Sequence, residues 1–204
     1  MTTRFAYGSL LSLLACALLA PVAAGAGPVT DPGQILRTAT DEVMAVVYAP
    51  PVDGRSVAAR VQPVMEKFFD FAALTRRSIG PGWRQFTPEQ QRRTTALLAE
   101  LIVRNYCAHF DTKVRSQVTF AAPVPLTDDR CELPTSITYS GQNYSVTYRA
   151  EQASGRWRFY DVIAEGVSLV ANYRAQFAPL FQKGGAAAII HALEEKLASP
   201  TPTK

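Results

Sequence analysis

Two hydrophobic periods divide the chain. From Asp31 to Tyr106 apolar residues recur at helical spacing, and from Val114 to Ile163 they alternate with polar ones, as in strands with one buried face. Asp31-Pro32-Gly33-Gln34 opens a first helix with an Asx cap and Pro at its first position. The apolar face of that helix is Ile35, Ala39, Val43 and Val46-Val47, and Pro50-Pro51 stops it. A second helix is predicted from Ser56 to Phe69, kinked by Pro63, and a third follows Asp70 and ends at Gly80. Thr87-Pro88-Glu89-Gln90 is the strongest cap in the sequence. It starts a long helix with Leu97, Leu98, Leu101, Ile102 and Tyr106 on one side.

The second half reads as an antiparallel meander of four strands, VRSQVTF, ELPTSITYS, YSVTYRAEQ and WRFYDVI, with turns at Gly141-Gln142-Asn143 and Ser154-Gly155. One face gathers Val118, Phe120, Leu133, Ile137, Tyr139, Tyr144, Val146, Tyr148, Trp157 and Phe159, and strict alternation adds Asp161 and Ile163. A sheet apolar on one side must be covered, and the flanking helices are the available cover, so the fold class is α+β. After Glu165-Gly166, a strand-to-helix corner with Ser168 as N-cap, the period becomes helical again. Leu169, Tyr173 and Phe177 fall four apart. Pro179 is expected to end or kink this helix, and Gly184-Gly185 to separate it from a last one, Ala186 to Leu197, in a total of about six to seven.

Residues 1–26 hold one charge, Arg4, then an apolar run from Phe5 to Leu19, Pro21 and Ala-x-Ala patterns, as in a cleaved secretory signal. The run is shorter than the roughly 20 residues of a membrane span. Lipid attachment at Cys16 is the rival, disfavoured because the apolar run continues past it. Residues 27–198 then form one domain and 199–204, SPTPTK, a disordered tail. With Arg4 removed, Lys+Arg falls from 21 to 20 against 17 acidic residues, a mild excess without a basic run, so nucleic acid is not a partner.

Catalytic and metal chemistry find little support. His109 and His191 lie far apart, and no Cys or His pair has ligand spacing. No phosphate loop or nucleophile elbow occurs. Asp70, Asp161 and Glu165 would serve as acid and base in a cavity enzyme, but each sits where a carboxylate satisfies helix or corner N–H groups. Arg76, Arg84, Arg158 and Arg174 are solvated surface by default, with lipid phosphate or an acidic partner as the functional readings. The aromatic sheet face is either plain core or, because each buried Tyr hydroxyl wants a partner, the wall of a partly open cavity.

YDVIAEGVSLVANYRAQF, Tyr160 to Phe177, closely resembles the signature of the MlaC or toluene-tolerance family, soluble periplasmic carriers that bind phospholipid between the two membranes of Gram-negative bacteria. A second block agrees, FFDFAALTRRSIGPGWRQFTPEQQRRTTALLAELIVRNY from Phe68 to Tyr106, with its Phe-Asp-Phe start, Gly-x-x-Trp and Gln-rich helix opening. The resemblance implies a strongly curved sheet with helices around a deep lipid cavity. Its expected lining is Val118, Phe120, Ile137, Tyr139, Tyr144, Val146, Tyr148, Trp157 and Phe159, with Tyr106, Leu169, Tyr173 and Phe177 from the helices. It also implies a monomeric periplasmic shuttle carrying one phospholipid, without cofactor or chemical step. The implied partners are an inner-membrane ABC lipid transporter complex and an outer-membrane lipoprotein complex. A cavity enzyme acting on a hydrophobic small molecule and a protein-binding adaptor are the alternatives. In an oxidising compartment Cys107 and Cys131 would either form a disulfide or stay as two separately buried thiols.

Overall fold

A computed structural model of the chain describes residues 31–50, 54–108 and 113–199. The expected signal at 1–26, Cys16, His109 and the tail from residue 200 lie outside the described residues. Four helices come first: α1 Pro32–Tyr48, α2 Val57–Phe68, α3 Phe71–Ile79 and, after a 3-10 turn at Gly80–Gln85, α4 Pro88–Cys107. Their starts follow the sequence. Asp31, Ser56 and Asp70 each accept a hydrogen bond from the first turn, and Thr87 and Gln90 form a reciprocal capping box. At Gly80, φ is +74°, the conformation that ends α3 at little cost only for glycine.

Six strands follow instead of four: β1 Gln117–Phe120, β2 Val124–Thr127, β3 Arg130–Tyr139, β4 Gln142–Ala153, β5 Arg156–Ala164 and β6 Val167–Ser168. They form one curved, open antiparallel sheet in the order β1-β3-β4-β5-β6, with β2 also on β3. The first extra strand exists because β3 is long enough for two partners. β1 pairs with Thr135–Thr138 and β2 with Arg130–Glu132, and Pro125 is tolerated because β2 is an edge. The second extra strand exists because Glu165-Gly166 is a hairpin turn, with φ of +49° and +79°, and not a corner. The turn expected over Gly141-Gln142-Asn143 is Ser140-Gly141, again with both φ positive, and Ser154-Gly155 matches expectation.

The largest departure from strict alternation lies in β5. Ala150 faces Phe159 and Arg149 faces Asp161, so Tyr160 is the extra residue of a β-bulge. Beyond it Val162 and Ala164 pair with Tyr148 and Val146 and take over the face of Phe159, and Asp161 and Ile163 are moved to the other. The displaced Asp161 is a junction. Its carboxylate accepts from Val162 N at 2.9 Å, Val170 N at 3.0 Å and Ser168 Oγ at 2.7 Å.

The last helix, α5 Leu169–Ala198, does not end at Pro179, and Gly184-Gly185, with non-helical backbone and φ of +59° at Gly185, divides it as expected; counted as one element it makes five helices beside the 3-10 turn among the described residues. Ser199, expected in the tail, caps α5. α3, α4 and α5 pack on one another, whereas α1 packs mainly on α2. The core between them centres on Leu74, Leu98, Phe159, Ile189 and Leu193.

The 3-10 turn locks onto α5 through a glycine. A Cβ at Gly82 would stand 2.7 Å from the Phe181 ring, which is itself stacked on Phe86 at 6.1 Å. Gly82→Ala is therefore expected to destabilise the protein by about 1–3 kcal/mol through overpacking, read as a lower thermal midpoint. An unchanged midpoint would show that Phe181 yields freely.

Candidate functional site

The bulged sheet and the first four helices enclose an apolar cavity of about 130 Å³. α1 supplies Leu36, Ala39, Thr40, Val43, Met44 and Val47, positions at helical spacing on one face. α2 adds Val61, Met65 and Phe68, and the α2–α3 corner adds Phe69, Phe71 and Leu74. α4 contributes Ile102, Val103, Tyr106 and Cys107, and the opposite wall is Ser116, Val118, Ile137, Tyr148, Phe159, Val162 and Leu169. No carboxylate or cationic side chain lines it.

An aromatic floor fixes the closed end. The Phe69 ring lies 5.3 Å from Phe159, 5.8 Å from Phe71 and 6.5 Å from Tyr148. The corner that carries Phe69 is pinned to β5: Asp70 N donates to Phe159 O at 2.8 Å, and Arg158 Nη2 donates to Glu66 O at 2.8 Å and also to Phe69 O. Burial raises the phenols of Tyr106 and Tyr148 above their ordinary value, so both remain neutral hydrogen-bonding groups in an apolar wall.

Of the sequence-predicted lining, Tyr106, Val118, Ile137, Tyr148, Phe159 and Leu169 reach this cavity. The others do not, each for a spatial reason. Val146 is buried inside the sheet packing opposite Thr135 and Ala164. Phe120 lies under the Arg37 guanidinium at 4.5 Å, on a separate recess. Tyr144 is exposed and donates to Gln142 Oε1, and Tyr139 sits beside it at the same hairpin end. Trp157 stands opposite Gln152 near the other end of the sheet, and Tyr173 and Phe177 are buried with their rings 5.5 Å apart on α5. Missing from the prediction were the walls from α1, α2 and the α2–α3 corner. Their signal was present in the apolar face Ala39, Val43 and Val47.

The carboxylates considered as an acid–base pair have structural tasks: Asp70 caps α3, Asp161 joins β5 to α5, and Glu165 accepts from Ser145 N. Of the arginines singled out, Arg158 and Arg174 donate to backbone carbonyls, Arg158 through Nη2 to Glu66 O and Arg174 through Nε to Arg77 O at 3.0 Å. Among the described residues no group of three or more His, Cys, Asp or Glu is placed to hold a metal ion.

The model of the family described as MlaC protein matches residues 37–195, which takes in both signature blocks and every wall of the cavity except Leu36. The chain belongs to the MlaC family. A solved structure from Ralstonia solanacearum, described as a phospholipid-binding protein in complex with a phospholipid, is similar to it with a TM-score of 0.76. The two share 25% identity, over 82% of this chain and 97% of that one. No curated protein matches the sequence.

This member of the MlaC family has no disulfide between Cys107 and Cys131: both are free thiols. Cys107 faces the cavity at the end of α4, whereas Cys131 is buried in β3 opposite Ala150, in the electrostatic reach of Asp31 at the start of α1. Burial pushes each thiol up to about 11 from 9.0. The unfolded chain ionises first as pH rises, so this contribution to stability is complete below pH 9 and is lost towards pH 11. Peptide mapping of unreduced, denatured protein should find maleimide on both Cys107 and Cys131, with little label on the native protein at pH 7. A mapped Cys107–Cys131 bridge would contradict this geometry.

Proposed function

We propose that this protein carries a phospholipid in the periplasm, with the acyl chains in the cavity between sheet and helices and the headgroup in water. The observation that carries the reading is a cavity wall without charge in a chain of the MlaC family whose structural neighbour is described as holding a phospholipid. The finer context is proposed with it: export by the N-terminal signal, monomeric action, one lipid per chain, and exchange with an inner-membrane ABC transporter complex and an outer-membrane lipoprotein complex. No chemical step or cofactor is invoked. Asp70, Asp161 and Glu165 are already engaged by backbone N–H groups, which favours carriage over catalysis.

Magnitudes define what loading requires. Two acyl chains of roughly 30 methylenes in total represent on the order of 24 kcal/mol of apolar transfer at about 0.8 kcal/mol each, so half-covered chains would not leave a membrane. A cavity of about 130 Å³ is close to one that accepts a benzene-sized guest, far below the roughly 300–1,000 Å³ of ordinary ligand pockets. The walls must therefore part on loading. α1 is the element to move, because α3, α4 and α5 brace one another, α2 packs on α4, and α1 leans mainly on α2.

Native mass spectrometry of protein purified without detergent from a Gram-negative host should show the chain with one phospholipid, exchangeable with vesicles. Lipid-free protein that takes none from vesicles would refute the proposal. Ala39→Trp, placed in the hollow, should lower lipid per chain with little loss of stability. Val146→Trp, in close-packed sheet, should instead cost about 1–3 kcal/mol. The reverse pattern would mean that the chains lie elsewhere.

A further inference from the structure

On the flank of α1 lies an open recess of about 360 Å³ whose wall includes Asp41, Tyr48 and Arg115, and which shares Met44 and Ser116 with the apolar cavity. It is a built feature. The Tyr48 hydroxyl donates to Val114 O at 3.0 Å and accepts from Ser116 N at 2.9 Å, which holds the segment leading into β1 against the end of α1. That hold places the Arg115 guanidinium 5.0 Å from the centre of the Tyr48 ring. Both Asp41 and Arg115 are exposed, and among the described residues neither has an ion pair, with the other or with anything else. An unpaired anion and an unpaired cation thus face one recess.

The other recesses that adjoin the cavity differ. The one beyond Phe69 and Phe71 is closed off by those buried rings, and although its Arg92 is exposed, its carboxylates are engaged, Glu66 by Gln62 and Asp70 by α3, so it offers no free anion to an ammonium. The one beyond Leu36 has its carboxylate, Asp31, committed to capping α1. Between the two shared side chains Ser116 Oγ donates to Met44 Sδ at 3.7 Å, a weak contact, and a methionine with three rotatable bonds parts easily.

We propose that this recess receives a zwitterionic phospholipid headgroup, its phosphate towards Arg115 and its primary ammonium towards Asp41, with the chains entering between Met44 and Ser116. The inference rests on the lipid-carrier reading above and adds a headgroup preference to it. A phosphoethanolamine headgroup answers both charges. A phosphoglycerol headgroup answers Arg115 and brings a net negative charge to Asp41 with no cation to offset it.

The test uses vesicles of equal phosphatidylethanolamine and phosphatidylglycerol with identical acyl chains, and reads the lipids captured by the full chain by mass spectrometry. Capture by the wild type should favour phosphatidylethanolamine by about two- to fivefold, the size expected of solvent-exposed charge pairs. In Asp41→Asn the ratio among loaded molecules should fall towards one, and Arg115→Gln should lower retention of both lipids. Asp128→Asn, an exposed carboxylate in the β2–β3 turn, should keep the wild-type ratio. Equal capture by the wild type, or an unchanged ratio in Asp41→Asn, would overturn the headgroup assignment and leave lipid carriage standing. A wild type that captures neither lipid would overturn lipid carriage itself, and the assignment with it.

Discussion

An apolar hollow has to be held open against the packing forces that fold the chain around it. At about 24 cal/mol per Å³, an empty space of about 130 Å³ costs roughly 3 kcal/mol, a sizeable share of a domain's stability. Something other than the hollow must therefore fix its walls. Asp161 does much of this on one side. A carboxylate only 2% exposed accepts from two backbone N–H groups and the Ser168 hydroxyl, with Arg149 Nη1 at 3.4 Å, and so joins β5, β6 and the start of α5 in one unit. A buried charge with all these partners is stable where it is and expensive to remove. The bulge at Tyr160 that turns Asp161 outward is also what turns Val162 inward to the cavity.

The same division of labour sets which part can move. α3, α4 and α5 form a braced cluster locked by Phe181 against Gly82 and by Arg174 on Arg77 O. The α2–α3 corner is pinned to β5 through Asp70 N and Arg158. Across the cavity α1 has fewer anchors than α2, which packs on α4. Tyr48 ties α1 to the segment leading into β1, and the aliphatic face of that helix meets the hollow in place of a packed neighbour. A wall with few packing partners opens at low cost, which is what a cavity smaller than its cargo demands.

Local chemistry was the most legible level of the sequence. The caps at Asp31, Asp70, Thr87 and Ser168 each fall where the side chain and the following turn place them, and Ser56, read as the first residue of its helix, is the cap of α2. Antiparallel meander and helical cover followed from the two hydrophobic periods, and the family from two motif blocks. Features that depend on one inserted residue or one long partner strand were not legible. Nothing in WRFYDVI marks Tyr160 as the bulge, so period-2 reasoning placed Asp161 and Ile163 on the wrong face. Nothing in AAPVPLT, with its two prolines, announces an edge strand. The site was half legible for a related reason. The apolar face of the sheet is longer than the hollow it borders, so Tyr139, Tyr144 and Trp157 share its periodicity without sharing its position.

A crystal structure of the protein saturated with a phospholipid bearing brominated acyl chains would locate the cargo most directly. Anomalous bromine peaks should lie between α1 and the sheet, in van der Waals contact with Leu36, Val103, Ile137 and Phe159, with α1 displaced outward. Bromine on the outer surface, with those four side chains closed upon one another, would contradict the account.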